Sequence, residues 1–304
     1  MKKALVIFNP NAGTKTGNKN LAEILGIFAK GGYRTEVSAT LRRGHATEIA
    51  KRLASKKDLI VCIGGDGTFN EVAAGVMESE TDVPIGYIPA GSTNDFASSL
   101  NIPKDNITAA RDIVSGKPGK LDMGMFNGRF FSYVASFGAF TKTSYSVSQD
   151  LKNMIGHTAY VIEGIKELSS IKKLPLTIRT ENREIKDDFL FGAVCNSTSM
   201  GGILTLHEDD VDMNDGLFEV LLIHAPKNIL DFNKLMLALT TQSYKECESI
   251  SFFSASSVEI EANEDMDWTL DGEYQKGSRD IKIECIKSAI KVIRKQQYGR
   301  IVTW

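Results

Sequence analysis

The stretch that decides the fold runs from residue 59 to residue 71 and reads Leu-Ile-Val-Cys-Ile followed by Gly64-Gly65-Asp66-Gly67-Thr68-Phe69-Asn70-Glu71. The five apolar residues predict a strand that is covered on both faces. After the glycine-rich turn, apolar side chains recur at helical spacing and predict a helix. A strand, a glycine-rich turn and a helix in this order are typical of the ligand-binding edge of an open α/β sheet.

The glycine-rich turn has the chemistry of a phosphate site. Its three glycines let the backbone approach a phosphate closely and present N–H groups to it. Thr68 and Glu71 have the spacing of a capping box, which would fix the start of the helix. Asp66 is repelled by a phosphate unless a cation lies between them, so its presence indicates Mg²⁺ carried with a nucleotide. The alternative is a tight capped turn without a ligand.

Two better-known phosphate motifs are excluded. The turn lacks the third glycine of the dinucleotide fingerprint. The glycines at 13 and 17 are one residue too close for a P-loop, and Asn18 stands where that motif requires Lys.

Two further polar loops are expected at the same edge of the sheet. Residues 9–13 follow the first predicted strand, and residues 91–95 follow the fourth. Because carboxyl ends of parallel strands share one edge, the three loops are predicted to form one site. Each of the two, taken alone, is also explained as an ordinary turn with a helix cap.

The chain is predicted to form two domains with a cleft between them. Residues 1–124 form an α/β nucleotide-binding domain with a mostly parallel sheet, which residues 288–304 are a candidate to complete. Its predicted strands are 4–8, 33–40, 59–63 and 83–88, and its helices are 21–28, 46–54, the segment after Thr68, 94–100 and 107–114. Residues 125–287 form a mostly antiparallel β-sandwich, with a hairpin at Asn127-Gly128. Its predicted strands are 176–179, 189–195, 217–223, 251–253, 258–261, 268–270 and 281–284, and its helices are 159–168 and 230–239.

Composition excludes several classes of protein. With 36 Lys and Arg against 38 Asp and Glu, the net charge of −2 gives no basic excess for general nucleic-acid binding. The four cysteines form no C-x-x-C pair, and the four histidines form no H-E-x-x-H motif. The apolar run at residues 4–8 is too short for a signal peptide, and no stretch approaches the ~18 apolar residues of a membrane span. A cytoplasmic protein is expected.

The three loops resemble those of bacterial diacylglycerol kinase-like lipid kinases, which are related to sphingosine kinases and more distantly to NAD kinases. Residues 64–72 match the family pattern G-G-D-G-T-x-N-E-V, residues 9–13 match N-P-x-[SA]-G, and residues 89–98 match P-x-G-T-x-N-D-F-A-R with two departures. Ser92 replaces a threonine and keeps its hydroxyl. Ser98 replaces an arginine that belongs to a charge network in the family. Asp95 is therefore expected to interact with Lys15 or Lys166 instead.

The resemblance implies a set of nucleotide-binding residues. ATP is expected to bind at Asn9, Pro10, Asn11, Ala12, Gly13, Thr40, Gly64, Gly65, Asp66, Gly67, Thr68, Asn70, Glu71, Ser92, Thr93, Asn94 and Asp95. Asp66 is expected to act in catalysis with Mg²⁺ at the phosphates.

Two acidic clusters lie in the second half. Residues 209–217 carry four aspartates, and spacing alone slightly favours a solvated acidic turn. The resemblance implies instead a structural Mg²⁺ held by Asp212, Asp215 and the carbonyl of Leu217. Asp271-Gly272-Glu273 follows a predicted strand and has the chemistry of a turn. In similar kinases this motif supplies the base, and the sequence does not decide between Asp271 and Glu273; alternation along an extended segment would place both on one side.

The sequence therefore predicts an ATP- and Mg²⁺-dependent lipid kinase of phospholipid biosynthesis. The expected reaction transfers the γ-phosphoryl group of ATP to a lipid hydroxyl, most simply converting diacylglycerol to phosphatidic acid. The enzyme is expected to visit the inner face of the membrane peripherally, and homodimer formation is left open. The alternatives are an NAD kinase, which shares the G-G-D-G-T core, and a nucleotide-binding regulator without catalysis, which the Ser98 departure favours.

Overall fold

A computed structural model describes residues 1–13, 16–138, 172–200 and 204–295 of the chain. The chain divides into two compact units, which we call unit 1 (Met1–Met123 with Ile286–Trp304) and unit 2 (Gly124–Cys285). The predicted helix at 159–168, the side chains of Lys15 and Lys166, and the end of the chain beyond residue 295 lie outside the described residues.

Unit 1 is built from alternating strands and helices. In chain order these are β1 (Lys2–Phe8), α1 (Thr16–Lys30), β2 (Tyr33–Ala39), α2 (His45–Leu53), β3 (Leu59–Gly64), α3 (Asp66–Glu78), β4 (Ile85–Pro89), α4 (Asp95–Ser99) and α5 (Asn106–Ser115). The strands lie in the order β2-β1-β3-β4 and all pair in parallel. β3 and β4 are buried along their whole length, as the unbroken apolar run of residues 59–63 predicts. The α/β domain with a parallel sheet is confirmed.

Unit 2 is a mostly antiparallel β domain, also as predicted. It begins within β5 (Lys117–Phe126) and ends within β17 (Asp280–Arg294). Between them lie β6 (Arg129–Phe131), β7 (Val134–Gly138), β8 (Leu174–Arg179), β9 (Glu184–Cys195), β10 (Ser199–Met200), β11 (Leu204–Thr205), β12 (Phe218–His224), α6 (Ile229–Thr241), β13 (Ile250–Ala255), β14 (Ser257–Ala262), β15 (Asp267–Leu270) and β16 (Glu273–Lys276). The pairings β15-β7, β7-β9, β9-β8 and β8-β14 are all antiparallel.

The predicted hairpin at Asn127-Gly128 joins β5 to β6. Both turn residues have positive φ, 44° at Asn127 and 86° at Gly128. This conformation matches the twist of the two flanking strands and is adopted readily by Asn and Gly.

The core of unit 2 is rich in aromatic side chains. Trp268 lies between Phe126 and Phe137, with ring centroids 4.9 Å away in each case and edge-to-face geometry. Phe131 stacks on Phe218 at 5.6 Å. No helix in the described ranges combines the length and the apolar content that a bilayer crossing needs.

The predicted capping box at Thr68 and Glu71 is wrong. α3 begins at Asp66 with Gly65 as its N-cap, so Thr68 already lies inside the first turn. Glu71 lies one turn further on and caps a different helix: its carboxylate accepts hydrogen bonds from the backbone N–H of Gly44 at 2.7 Å and of Ala46 at 3.1 Å. Gly44 is the N-cap of α2 and has no side chain to do this itself.

Replacing Glu71 with Ala is expected to destabilise the protein by about 1–3 kcal/mol, because two backbone donors at the start of α2 lose their charged acceptor. Urea unfolding measures this difference. Glu78→Ala is the matched control on the same helix, since Glu78 is exposed and makes only a surface ion pair with Lys51 at 3.1 Å. Its effect should stay within about 0.5 kcal/mol. Equal losses in the two variants would contradict the capping role.

Candidate functional site

The three strand-end loops at residues 9–13, 64–68 and 90–95 meet at one edge of the unit 1 sheet. The N–H of Asn9 donates to the carbonyl of Ile63 at 2.9 Å, and the N–H of Ala90 donates to the carbonyl of Gly64 at 2.7 Å. The side-chain amide of Asn9 also donates to the Thr68 hydroxyl at 3.2 Å. The middle loop is therefore hydrogen-bonded to the loops on both sides of it.

Glycines make this close approach possible. Gly13 has a φ of +47°, and a Cβ there would lie 2.5 Å from the carbonyl oxygen of Ala90. A Cβ on Gly91 would lie 2.7 Å from the Cα of Gly65 and equally close to the Asn94 side-chain oxygen. Backbone atoms are among the nearest neighbours at both positions and cannot move aside as a flexible side chain could, so a larger residue at 13 or 91 does not fit between the loops.

Backbone amide groups and side-chain hydroxyl groups of the loops lie near the start of α3. Its N-cap, Gly65, carries no capping side chain, and the positive end of the helix dipole lies there. Ser92 and Thr93 are exposed, whereas Thr40 is buried next to the end of β1 and donates its N–H to the carbonyl of Phe8 at 2.9 Å. Such an arrangement of amides and hydroxyls can bind phosphate groups.

Asp66 is buried and has hydrogen-bond partners within unit 1. Its Oδ1 accepts a hydrogen bond from the Tyr87 hydroxyl at 3.0 Å. Burial raises the pKa of the Asp66 carboxyl and the Asp95 carboxylate raises it further, while hydrogen bonds from Tyr87 and from the N–H groups of Phe96 and Asp95 lower it. Asp66 thus accepts from the first turn of α4. Nothing in the sequence pointed to Tyr87, which lies inside a strand.

Asp95 belongs to α4, whose N-cap Asn94 has a φ of 54°. Asn94 closes the third loop on itself, since its side chain accepts from the N–H of Gly91 at 2.8 Å and donates to the carbonyl of Gly91 at 3.0 Å. Ser98, at the position where the family pattern has arginine, donates its hydroxyl to the carbonyl of Asn94 at 3.0 Å.

The Asp271-Gly272-Glu273 motif in unit 2 is a tight turn between β15 and β16, not an extended segment. Asp271 and Gly272 have φ values of 49° and 77°. The expectation that alternation places both acids on one side is therefore wrong, because the turn separates their environments.

The two acids of this motif make different contacts. The buried Asp271 carboxylate accepts hydrogen bonds from the N–H groups of Ser132 at 2.6 Å, Tyr133 at 2.9 Å and Val134 at 3.1 Å. Glu273 is 42% exposed, and its Oε2 lies 3.2 Å from Nη2 of Arg129. Asp271 fixes the backbone between β6 and β7, whereas the Glu273 carboxylate is partly open to solvent. Arg129 was not found from the sequence.

The acidic run at 209–217 is partly neutralised within unit 2. Asp210 is ion-paired with Lys245 and accepts from the Tyr244 hydroxyl at 2.7 Å. Asp212 and Asp215 each accept a backbone N–H two residues further on, from Asn214 at 3.0 Å and Leu217 at 2.8 Å. Across the described ranges, no three acidic, histidine or cysteine side chains converge as a ready metal site.

Glu219 is an unusual buried acid beside this run. It is 1% exposed in β12, and its Oε2 has no hydrogen-bond partner among the described residues. Burial raises the pKa of Glu219 to about 8, and the nearby Asp215, Asp212 and Asp210 carboxylates contribute to the rise. An acid within the apolar sequence Phe-Glu-Val-Leu-Leu-Ile was the signal that could have found it.

The fold defines a two-domain protein with an α/β domain of parallel strands and a mostly antiparallel β domain. Residues 3–126 match the diacylglycerol kinase catalytic domain family, and residues 134–294 match the YegS C-terminal NAD kinase beta sandwich-like domain. The chain belongs to the bacterial diacylglycerol kinase family, a family of lipid kinases that use ATP.

Individual relatives agree with this assignment. The chain is 34% identical over 276 residues to a diacylglycerol kinase of Bacillus subtilis (strain 168), covering 90% of each chain. It is 32% identical over 274 residues to a diacylglycerol kinase of Staphylococcus epidermidis, covering 90% of this chain and 86% of the relative. The crystal structure of a diacylglycerol kinase from Bacillus anthracis str. Sterne has the same fold, with a TM-score of 0.74, 24% identity and 97% coverage of both chains.

Replacing Gly13 with Ala is expected to destabilise unit 1 by at least about 1 kcal/mol, because the new methyl group meets the carbonyl of Ala90 and the positive φ is unfavourable. The control is Gly26→Ala in α1, where the added Cβ has no neighbour within 4 Å. That change should stabilise by about 0.5–1 kcal/mol. Urea unfolding of both variants tests the close approach of the loops, and a neutral Gly13→Ala would contradict it.

Proposed function

We propose that this protein transfers the γ-phosphoryl group of ATP to the hydroxyl of diacylglycerol and releases phosphatidic acid. The observation that carries the proposal is the meeting of the loops at 9–13, 64–68 and 90–95 through backbone contacts that only glycines allow. Relatives more than 30% identical over 90% of this chain are called diacylglycerol kinases, which supports this choice of acceptor.

In this proposal the three loops hold the phosphates of ATP. The N–H groups at the start of α3 and the hydroxyls of Ser92 and Thr93 donate to phosphate oxygens, while Thr40 borders the nucleotide. Phosphoryl transfer requires little covalent chemistry from the protein, so positioning and neutralisation of charge provide most of the rate.

Asp66 is proposed to act with Mg²⁺ at the phosphates. A magnesium ion would neutralise charge on the transferring phosphoryl group. The burial that raises the pKa of Asp66 also lowers the local dielectric, so a nearby cation would hold this carboxylate ionised. The contacts to Tyr87 and to the amides of α4 keep the side chain in one orientation.

Glu273 is proposed as the group that accepts the proton of the acceptor hydroxyl. Its carboxylate is open to solvent and lies beside Arg129. Asp271 is proposed as a positioning residue, since three backbone donors already occupy its carboxylate. This division of roles assigns one task to each acid of the motif.

A second Mg²⁺ is proposed at the acidic run, held by Asp212, Asp215 and the carbonyl of Leu217. The donor set suits this ion, because carboxylate and carbonyl oxygens are the ligands that Mg²⁺ prefers, with water completing the shell. The concentration of negative charge around the buried Glu219 also favours a cation here. This ion would stabilise the fold of unit 2 and take no part in phosphoryl transfer.

The reaction is tested by incubating the protein with ATP labelled in the γ position, Mg²⁺ and diacylglycerol, and separately with NAD. Labelled phosphatidic acid is expected with the lipid and no labelled product with NAD. The reverse result would make the protein an NAD kinase. ATP binding without any labelled product would favour a nucleotide-binding regulator.

Glu273→Gln is expected to lower kcat by about 100-fold or more with little change in the KM for ATP, because the proton acceptor is lost while the nucleotide loops are intact. Asp271→Asn should instead reduce thermal stability, since an amide cannot accept three N–H groups as a carboxylate does. Glu259→Gln, on an exposed position of β14, is the control and should change neither property. A fully active Glu273→Gln protein would remove Glu273 from the mechanism.

Adding Mg²⁺ to metal-free protein is expected to raise the Tm, because a cation that binds only the folded state stabilises it by about 2.7 kcal/mol at 100 times its Kd. Asp215→Asn should abolish most of this response. Asp209→Asn is the matched control in the same acidic run, and its response should equal that of the unchanged protein. If Asp215→Asn keeps the full response, the second magnesium site is not at this run.

A further inference from the structure

Exposed apolar side chains of the described residues are concentrated on one helix of unit 2. Seven large apolar side chains are exposed in these ranges, and three of them belong to α6: Ile229, Leu230 and Leu237, at 38%, 68% and 64% exposure. The remaining four are scattered singly over other elements, where isolated exposed apolar residues need no explanation.

The two leucines and a lysine form one stripe along α6. Leu230, Lys234 and Leu237 are spaced at i, i+4 and i+7, so they share a face of the helix. The opposite side packs inward through Phe232, Leu235, Ala238 and Leu239, which are buried. We call the set Ile229, Leu230, Lys234 and Leu237 the outer face of α6.

The charges at this face are basic. Lys234 lies between the leucines on the outer face, and exposed Lys227 precedes the helix by two residues. The one acidic residue of the helix is Asp231, which is only partly exposed and accepts a hydrogen bond from the Asn228 side chain at 2.9 Å. Leucines flanked by lysines fit a partner that has an apolar interior and negatively charged groups at its surface.

The helix is also preformed. The side-chain oxygen of Asn228 caps its first turn by accepting from the N–H groups of Leu230 at 2.9 Å and Asp231 at 3.0 Å. Gln242 ends it in the left-handed conformation. Docking through the outer face therefore needs no folding step, which removes an entropic cost that disordered binding segments pay.

We propose that the outer face of α6 docks on an anionic phospholipid bilayer. The helix lies in the plane of the interface, with Leu230 and Leu237 among the upper acyl chains and the two lysines at the lipid phosphates. A protein partner fits less well, because lysine is depleted at the centre of protein interfaces. The choice of a bilayer rests on the proposed function, since a lipid kinase must collect its acceptor from a membrane.

The test is sedimentation with vesicles of phosphatidylcholine alone and of phosphatidylcholine mixed with phosphatidylglycerol. The unchanged protein should bind the mixed vesicles more tightly, and the difference should shrink as salt is raised. Leu230→Gln and Leu237→Gln are each expected to weaken binding by about tenfold, because each removes an apolar side chain that enters the bilayer. Lys227→Glu with Lys234→Glu should abolish the preference for the anionic lipid.

Leu41→Gln in unit 1 is the matched control, since Leu41 is 82% exposed and carries the same side chain. Its vesicle binding should equal that of the unchanged protein. Equal losses in Leu41→Gln and Leu230→Gln, or full binding by a Leu230→Gln, Leu237→Gln double variant, would overturn the proposal. The proposal would also be overturned if the unchanged protein formed a dimer that binds no vesicles and the double variant were a monomer. The outer face would then join two copies of the chain.

Vesicle binding and kinase activity are measured in separate experiments, so that each result bears on only one of the two proposals. Vesicle binding needs no turnover, so a protein that binds as described but phosphorylates no lipid would contradict the proposed function alone. Because both leucines are exposed, the double variant should keep its Tm and its activity toward a short-chain diacylglycerol that is dispersed in water. A kinase active on that substrate with no vesicle binding would contradict the docking proposal alone.

Discussion

Unit 1 depends on close backbone-to-backbone contacts between glycine-containing loops at the edge of its sheet. Gly13 approaches the carbonyl of Ala90, and Gly91 approaches Gly65, at distances that leave no room for a Cβ atom. This constraint brings the ends of β1, β3 and β4 into one hydrogen-bonded group and leaves the first turn of α3 without a side-chain cap. The same absence of side chains that permits the packing also provides the amides that a phosphate needs.

Buried and partly buried carboxylates hold the surroundings of these loops and turns in place. Asp66 accepts from Tyr87 and the first turn of α4, Glu71 accepts from the start of α2, and Asp271 accepts from three successive amides in unit 2. Each of them belongs to a motif by which the sequence resembles the family. A carboxylate that receives several N–H groups gains charge-assisted hydrogen bonds and loses conformational freedom, so it suits fixing a loop better than exchanging protons.

The alternation of strands and helices in unit 1 and the hairpin at Asn127-Gly128 could be predicted because these signals are local. Periodicity and turn chemistry act within a few residues. The partners of Glu71 and Asp66 could not be predicted in this way, since each depends on a contact more than 20 residues away. The difference between Asp271 and Glu273 was missed for a related reason: a positive φ at a non-glycine residue is imposed by the fold around it.

The division of the chain has a practical consequence for dissecting the protein. Unit 1 is discontinuous, since Met1–Met123 is joined by the segment from Ile286 onward, and Val292 in β17 pairs in parallel with Ile85 in β4. A fragment cut after residue 123 would expose the buried strand β4 as a free edge with unpaired amides, a template for aggregation. Unit 2, by contrast, is one continuous segment. An isolated unit 1 would therefore have to be produced as a fusion of both segments through a linker.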